Sequence, residues 1–270
     1  VAWDEDPLGP RYRIKGNKMW ISSGEHDLTE NIIHLVLAKI PDADGKLVPG
    51  TRGISLFIVP KKMVNTQGEL TGVRNDVALA GLNHKMGYRG TVNTLLNFGE
   101  GRFTPNGKAG AVGYLVGELN RGLNCMFHMM NEARIGVGLG ATMLGYTGYL
   151  HALDYARNRL QGRHPQAKDP AAPQVPIIEH ADVRRMLLTQ KAFAEGSRAF
   201  LYFLAQQGDI VAAGSEESAK TADDLMALLT PIGKAFVTEA GFEAANLGVQ
   251  VFGGHGFIRE WGMEQIVRDA

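Results

Sequence analysis

The sequence predicts an α+β multidomain protein, in which an antiparallel β-barrel or sandwich domain is followed by an all-α helical bundle domain. Up to about residue 98, apolar residues occur in short runs bounded by turn residues, which is typical of strands. From about residue 110 onward they recur at spacings of three and four, which is typical of helices. A chain of 270 residues suits two domains, and we place them at residues 1–108 and 109–270.

The strand predictions rest on alternation and turn chemistry. Tyr12 and Ile14 alternate with polar residues, and Gly16 and Asn17 supply a two-residue turn before residues 18–22, which predicts a β-hairpin. Runs rich in β-branched residues predict further strands at residues 32–38, 53–60 and 92–98. Residues 42–45, Asp-Ala-Asp-Gly, predict a turn between two of them.

Three long helices are predicted in the second half, at residues 119–160, 178–205 and 223–247. Pro231 lies inside the third, where its ring is expected to kink the helix or begin a new one. Four prolines in residues 161–176 predict a loop. Residues 136–141, Gly-Val-Gly-Leu-Gly-Ala, lie within the helical pattern rather than after a strand, so they favour close helix packing over a dinucleotide loop.

Composition excludes several classes of protein. Lys plus Arg is 28 and Asp plus Glu is 28, so bulk charge would not hold a nucleic acid, and none is expected as a partner. One cysteine, Cys125, cannot form an intramolecular disulfide and fits a reducing compartment, from which we expect a cytoplasmic protein. We found no apolar run of about 18 residues, so no membrane span is predicted. The eight histidines have no metal-ligand spacing, and no metal site is predicted.

Three segments have both a structural and a functional interpretation. Trp20, followed by Ser22 and Ser23, is either part of an ordinary edge hairpin or a cover for a flat ring whose edge the hydroxyls bond. The arginines within residues 155–163 either favour a helix C-terminus or clamp a diphosphate. The glycines of residues 250–256 either permit a tight turn or let backbone N–H groups meet an anion.

In this order and spacing, the three segments resemble motifs of the acyl-CoA dehydrogenase family of flavoenzymes. Residues 20–23, Trp-Ile-Ser-Ser, resemble its Trp-Ile-Thr-Asn; residues 155–159 resemble its Tyr-Ala-x-x-Arg; and residues 250–256 resemble its Gln-x-x-Gly-Gly-x-Gly. Residues 130–134, Met-Asn-Glu-Ala-Arg, are similar to the start of its C-terminal domain. The resemblance covers essentially the whole chain and is greatest to the larger bacterial members. It implies a middle β domain and a truncated C-terminal helical domain.

The resemblance implies FAD as cofactor and an acyl-CoA thioester as substrate. Trp20 would lie against the flavin ring, and Ser22 would hydrogen-bond near its reactive nitrogen. Arg159 and Gln161 would reach the FAD diphosphate of a neighbouring subunit. The contacts implied for the adenosine-diphosphate part of FAD are Gln250, Gly253 and Gly254. Those implied for the acyl-CoA channel are Asn131 and Arg134.

The implied reaction is α,β-dehydrogenation, with electrons passed on to an electron-transfer flavoprotein and with a homodimer or tetramer paired through the helical half. In the branch that this chain resembles, the base is a Glu shortly after Arg-Asp-Ala, the tripeptide at residues 268–270. No catalytic residue is therefore assigned within this chain, and Glu132 does not match the alternative base position. We expect the chain to be a piece of a longer enzyme. The alternatives are a family relative that associates with DNA, and an interaction scaffold.

Overall fold

The structure is a computed structural model that describes residues 2–270, with side chains described from Asp6 onward. The chain forms two compact units, one ending at Met129 and the other extending from Met130 to Ala270. The division falls inside the first long helix, Gly122–Asn158. An antiparallel β region is followed by a region of long helices, which confirms the predicted fold class.

Within residues 2–129 the first unit contains ten strands, and every pairing is antiparallel. The strands are β1 Ala2–Asp6, β2 Gly9–Ile14, β3 Gly16–Ser22, β4 Ile33–Lys39, β5 Ile54–Pro60, β6 Lys62–Val64, β7 Leu70–Arg74, β8 Val77–Leu82, β9 Asn93–Phe98 and β10 Ala111–Val116. The five-stranded sheet has the order β1-β2-β10-β5-β4, and the three-stranded sheet has the order β3-β9-β8, while β6 pairs with β7.

The hairpin predicted at residues 12–22 is wrong. β2 pairs with β1 and β10, whereas β3 pairs with β9, so the chain passes from one sheet to the other at Gly16, whose φ is 148°. The reason is burial, because the shared core draws on both sheets: Ile14 and Phe57 come from the larger sheet, and Leu96 and Phe98 from the smaller one. Packing two sheets face to face buries more apolar surface than pairing two neighbouring strands at an edge.

The β unit extends beyond the boundary that we placed after residue 108. β10 lies in the middle of the larger sheet, between β2 and β5. The loop that leads to β10 is held by buried Asp76. The carboxylate of Asp76 accepts hydrogen bonds from the backbone N–H groups of Gly101 at 2.8 Å and Gly110 at 2.9 Å. Strand pairing that is distant in sequence therefore decides where the β unit ends.

The second unit contains the predicted long helices. They are α1 Gly122–Asn158, which begins in the first unit, α2 Ala181–Ala213 and α3 Glu216–Phe252, and a short α4 follows at Met263–Asp269. Leu201 and Leu204 of α2 pack with Val237 of α3 in one buried cluster. A Cβ on Gly138 would lie 2.7 Å from Cγ2 of Val237, so this glycine serves close packing as predicted, whereas a Cβ on Gly136 would meet no heavy atom within 4 Å.

Two details of the helical half refine the prediction. Of the two outcomes expected at Pro231, a new helix is excluded, since α3 continues through this residue. Residues 161–176 are not entirely a loop, because β11 Leu160–Arg163 pairs with β12 Gln174–Pro176. Pro176 ends its strand at the position opposite Leu160, where the missing N–H is tolerated.

By length and composition, the stretch from Glu216 to Phe257 also qualifies as a membrane-crossing helix. We predicted no span because no apolar run reaches about 18 residues. The buried side chains of α3 include Met226, Val237 and Val251, so packing within the bundle accounts for part of its apolar character, although only 28% of the qualifying window is buried. The core helix of a bundle satisfies the same criteria as a membrane span. The length and composition of this stretch are therefore weak support for a membrane span.

Candidate functional site

A cavity of about 530 Å³ lies among the ends of α1, α2 and α3 in the helical unit. It brings together all five residues implied for the FAD diphosphate and adenosine-diphosphate contacts, although they are up to 95 positions apart. Those residues are Arg159, Gln161, Gln250, Gly253 and Gly254, and the remaining lining residues are Tyr155, Ile177, His180, Val183, Val251, Phe252 and His255.

The end of α1 positions the first two of these residues. The backbone N–H of Arg159 donates to the carbonyl of Tyr155 at 2.8 Å, which completes the last turn of the helix. Gln161 follows in β11, and its backbone carbonyl lies 2.7 Å from Nε2 of His180 at the start of α2. These two hydrogen bonds thereby hold Arg159, which directly follows α1, and Gln161 of β11 beside the cavity.

The end of α3 and the turn after it supply further lining residues. Gly253 has φ 58° and ψ −131°, a conformation that favours glycine, and its N–H donates to the carbonyl of Gln250. A Cβ on Gly253 or Gly254 would meet no heavy atom within 4 Å, so the backbone there is open to a ligand. By contrast, a Cβ on Gly256 would lie 2.3 Å from the carbonyl oxygen of Val249, so this glycine serves the tight turn.

Four stacked rings support this turn. Tyr155 stacks on Phe252 with ring centroids 4.1 Å apart, and His255 stacks on Trp261 at 4.6 Å. The two pairs meet edge to face, with Tyr155 and His255 at 5.9 Å. The hydroxyl of Tyr155 also lies 2.9 Å from Nδ1 of His255. These contacts fix the glycine turn against the end of α1.

The cavity has the chemistry that a diphosphate needs. All of its lining residues are neutral or basic, and Arg159, Gln161 and Gln250 are exposed enough to reach a ligand. A guanidinium fork pairs with two phosphate oxygens, amide side chains can donate to others, and glycine backbone permits close approach. The donor set therefore fits the diphosphate of FAD.

The β unit holds the other two cofactor candidates. Ser22 lines a cavity of about 380 Å³, together with Ser23, Gly24 and His34 among others. Trp20 does not line this cavity, and 75% of its surface is exposed. Its φ is 61°, and it lies where the pairing of β3 with β9 is irregular. A largely exposed indole leaves a flat apolar face free for a ring.

An ion cluster lies directly after this segment. The carboxylate of Glu25 accepts hydrogen bonds from Nζ of Lys61 and, at 3.1 Å, from Nη2 of Arg74. Burial would raise the pKa of Glu25, but the hydrogen bond from Lys61 and the two positive charges outweigh it, so the pKa lies below its ordinary value of 4.5. His34 is buried with an unbonded Nε2, and its burial lowers its pKa below 6.5.

The two acyl-CoA candidates lie in the first turns of the helical unit. Arg134 lines a groove of about 430 Å³ with Met130, Val137 and Lys234 among others. Asn131 is half-buried and does not line that groove, and Glu132 is exposed. Arg134 therefore lines a largely apolar groove, and Asn131 does not line the same groove.

The sequence-based assignment missed three polar residues that line the cavity of about 530 Å³, which we call the diphosphate cavity. Tyr155 and His255 fall within the motifs at residues 155–159 and 250–256, but the resemblance implied no role for them. His180 had no local signal, because it reaches the cavity only through its bond to Gln161. Among the side chains described, those of residues 6–270, no cluster of three from His, Cys, Asp or Glu is placed to hold a metal ion.

Comparison with known proteins agrees with this geometry. The chain is 44% identical to 3-methylmercaptopropionyl-CoA dehydrogenase of Ruegeria pomeroyi over 96% of its length, and 41% identical to a butyryl-CoA dehydrogenase of Syntrophomonas wolfei. It spans 41% of the length of each of these relatives.

Solved structures share the fold at low identity. Butyryl-CoA dehydrogenase of Megasphaera elsdenii superposes with a TM-score of 0.67 at 20% identity, covering 98% of this chain and 56% of that one. ACDH-11 of Caenorhabditis elegans, solved with C11-CoA, gives 0.75 at 22% identity, covering 96% and 38%. Residues 120–270 match the family described as acyl-CoA dehydrogenase, C-terminal domain. The chain therefore belongs to the acyl-CoA dehydrogenase family, whose members are oxidoreductases.

Proposed function

We propose that this chain is the cofactor-binding and substrate-binding part of an FAD-dependent acyl-CoA dehydrogenase. One observation carries the proposal: residues 159, 161, 250, 253 and 254, which the resemblance implies for FAD, share one cavity with a basic and neutral lining. Packing alone does not require that a guanidinium, two amides and an open glycine turn converge. The 44% identity to an acyl-CoA dehydrogenase over 96% of the chain supports the same reaction class.

Each group has a binding role in this proposal. Arg159 pairs with the diphosphate, while Gln161 and Gln250 donate amide hydrogens to it or to the adenosine part. Gly253 and Gly254 allow the ligand to approach the backbone. In the β unit, Trp20 covers one face of the flavin and the Ser22 hydroxyl bonds its edge.

When bound, FAD would supply the redox chemistry by accepting a hydride from the β-carbon of the acyl thioester. The residues of this chain bind and orient the reactants, with Arg134 in the acyl-CoA channel. None of the residues 1–270 is assigned as the base that removes the α-proton, and the exposed Glu132 does not fill that role in our proposal. We therefore expect that residues 1–270 alone do not dehydrogenate an acyl-CoA.

The remaining proposals concern assembly and partners. An electron-transfer flavoprotein would accept the electrons, and two or four copies would pair through the helical unit, so that Arg159 meets FAD bound by a neighbour. Exposed apolar side chains on α2 and α3, among them Leu188, Tyr202, Phe236 and Phe242, support such pairing. We propose a cytoplasmic location.

Anaerobic flavin reduction tests the function. The longest protein expressed from the gene that encodes residues 1–270 is mixed with FAD and then with butyryl-CoA or 3-methylmercaptopropionyl-CoA. Bleaching of the oxidised flavin band by one of the thioesters is the expected result, with residues 1–270 alone giving none. Stoichiometric FAD that no acyl-CoA reduces would contradict a dehydrogenase, and fast bleaching by residues 1–270 would contradict the absence of a base.

A further inference from the structure

We propose that His255 is a further ligand-binding residue of the diphosphate cavity and that Tyr155 positions it. This proposal rests on the proposed function, because it names an additional contact at the same site. Its starting point is a pair of side chains 100 positions apart, the hydroxyl of Tyr155 and Nδ1 of His255, which lie 2.9 Å from one another.

The bond to Tyr155 determines which nitrogen of His255 is available. A phenol O–H is a donor, and an unprotonated imidazole nitrogen accepts from it. If Nδ1 accepts, the imidazole proton resides on Nε2, which then becomes an N–H donor. Within residues 6–270, Nε2 of His255 has no hydrogen-bond partner and is not among the fully enclosed unpaired atoms. The structure thus leaves Nε2 of His255 without a partner beside a cavity that His255 lines, and our proposal takes the tautomer in which Nδ1 accepts and Nε2 donates.

Stacking holds the imidazole at a defined angle. His255 lies parallel to Trp261, with an interplanar angle of 18°, and stands at 86° to Tyr155. Tyr155 is in turn stacked on Phe252, which is buried. The face of the imidazole packs on the ring of Trp261 and its edge is hydrogen-bonded to the hydroxyl of Tyr155. Such a side chain loses little conformational freedom when a ligand binds, so its contact contributes more to affinity than that of a mobile side chain.

The ligand chemistry follows from the neighbours. The N–H of His255 adds to Arg159 and to the open backbone of Gly253 and Gly254, and all of these groups favour an anion. The class of ligand is therefore a phosphate or diphosphate ester, and the proposed occupant is the diphosphate of FAD.

Two conservative substitutions separate the parts of this proposal. His255→Phe keeps a ring to stack on Trp261 and removes both nitrogens. Tyr155→Phe keeps the stacking on Phe252 and removes the hydroxyl. His151→Phe is the matched control, because His151 is exposed on α1 and does not line the cavity. Circular dichroism establishes that each variant is folded.

The probe is ADP, titrated calorimetrically into residues 1–270, with adenosine as the comparison. His255→Phe should weaken ADP binding about tenfold, the effect of one hydrogen bond to a charged group, and leave adenosine binding unchanged. Tyr155→Phe should weaken ADP binding by a smaller factor and add nothing in the His255→Phe background, because its effect acts through His255. The Nε2 nitrogen resonance of His255 should shift on addition of ADP and not of adenosine.

The outcomes distinguish two failures. Unchanged ADP affinity in a folded His255→Phe variant would overturn the role of His255 while leaving the cavity as the diphosphate site. Equal losses for ADP and adenosine would also overturn it, since that pattern indicates a structural role. If residues 1–270 bind no ADP at all, the proposed cavity itself is wrong, and the role of His255 with it.

Discussion

Nη2 of Arg74 lies 3.1 Å from Oε2 of Glu25, while the other oxygen of that carboxylate is bonded to the buried Nζ of Lys61. Glu25 follows Ser22, Ser23 and Gly24 in the chain. Two cations, Lys61 immediately before β6 and Arg74 at the end of β7, thereby hold the end of the segment that carries the proposed flavin contacts.

Replacing Glu25 by Gln should destabilise the β unit by roughly 2–3 kcal/mol at pH 7, because Lys61 is left without its counter-charge. The sign of the pH dependence follows from the lowered pKa. A carboxyl with a lowered folded pKa stabilises the protein above its unfolded pKa of about 4.3, and this contribution is lost as the pH falls through the folded pKa.

Urea unfolding of Glu25→Gln and of the original chain between pH 7 and pH 3 measures this effect. The gap between them should narrow below about pH 4. Glu30→Gln is the control, because Glu30 is exposed. A gap that is constant over the whole range would show that the charge of Glu25 contributes nothing.

His34 should make the β unit lose stability as the pH falls below neutrality. Its folded pKa is lowered, chiefly by burial, so its contribution is intact above the unfolded pKa of about 6.5 and is lost as the pH falls towards the folded pKa. His34→Phe, placed next to Phe98, should flatten the dependence between pH 7 and pH 5. Urea midpoints at half-unit intervals measure this, and an unchanged slope in the variant would assign it to another group.

Gly241→Ala should destabilise the helical unit by roughly 1–3 kcal/mol, the usual cost of overpacking. A Cβ at residue 241 would lie 2.4 Å from the backbone oxygen of Ala141, which cannot move without shifting α1. Gly196→Ala is the matched control, because nothing lies within 4 Å of a Cβ there. In the interior of α2 it should stabilise by roughly 0.5–1 kcal/mol. Thermal unfolding, followed by the helical circular dichroism signal, compares the stabilities of the two variants with that of the original chain. Equal changes in stability for both variants would contradict a close crossing of α1 and α3.

Arg159→Ala should weaken ADP binding to residues 1–270 by about tenfold or more, since a charge-assisted pair with phosphate is lost. Arg159→Lys should recover only part of the affinity, because an ammonium lacks the bidentate fork. Arg157→Ala should change nothing, because Arg157 is exposed and does not line the cavity. Calorimetric titration at one salt concentration tests this series. If Arg157→Ala weakens ADP binding as much as Arg159→Ala does, ADP is held by general positive charge and not by a defined contact with Arg159.

The sequence alone determined the succession of a β region and a helical region, because alternation and three-to-four spacing are local consequences of strand and helix geometry. It also determined the motifs around Trp20, Arg159 and Gln250, since residue type and order carry that resemblance. Only the tertiary structure decided that β2 and β3 belong to different sheets, because the energy of face-to-face burial involves residues far apart in the chain. It alone brought His180 to Gln161 and Tyr155 to His255, bonds whose partners are 19 and 100 positions apart. No local pattern encodes such distances, since they are fixed by how the helices cross and end.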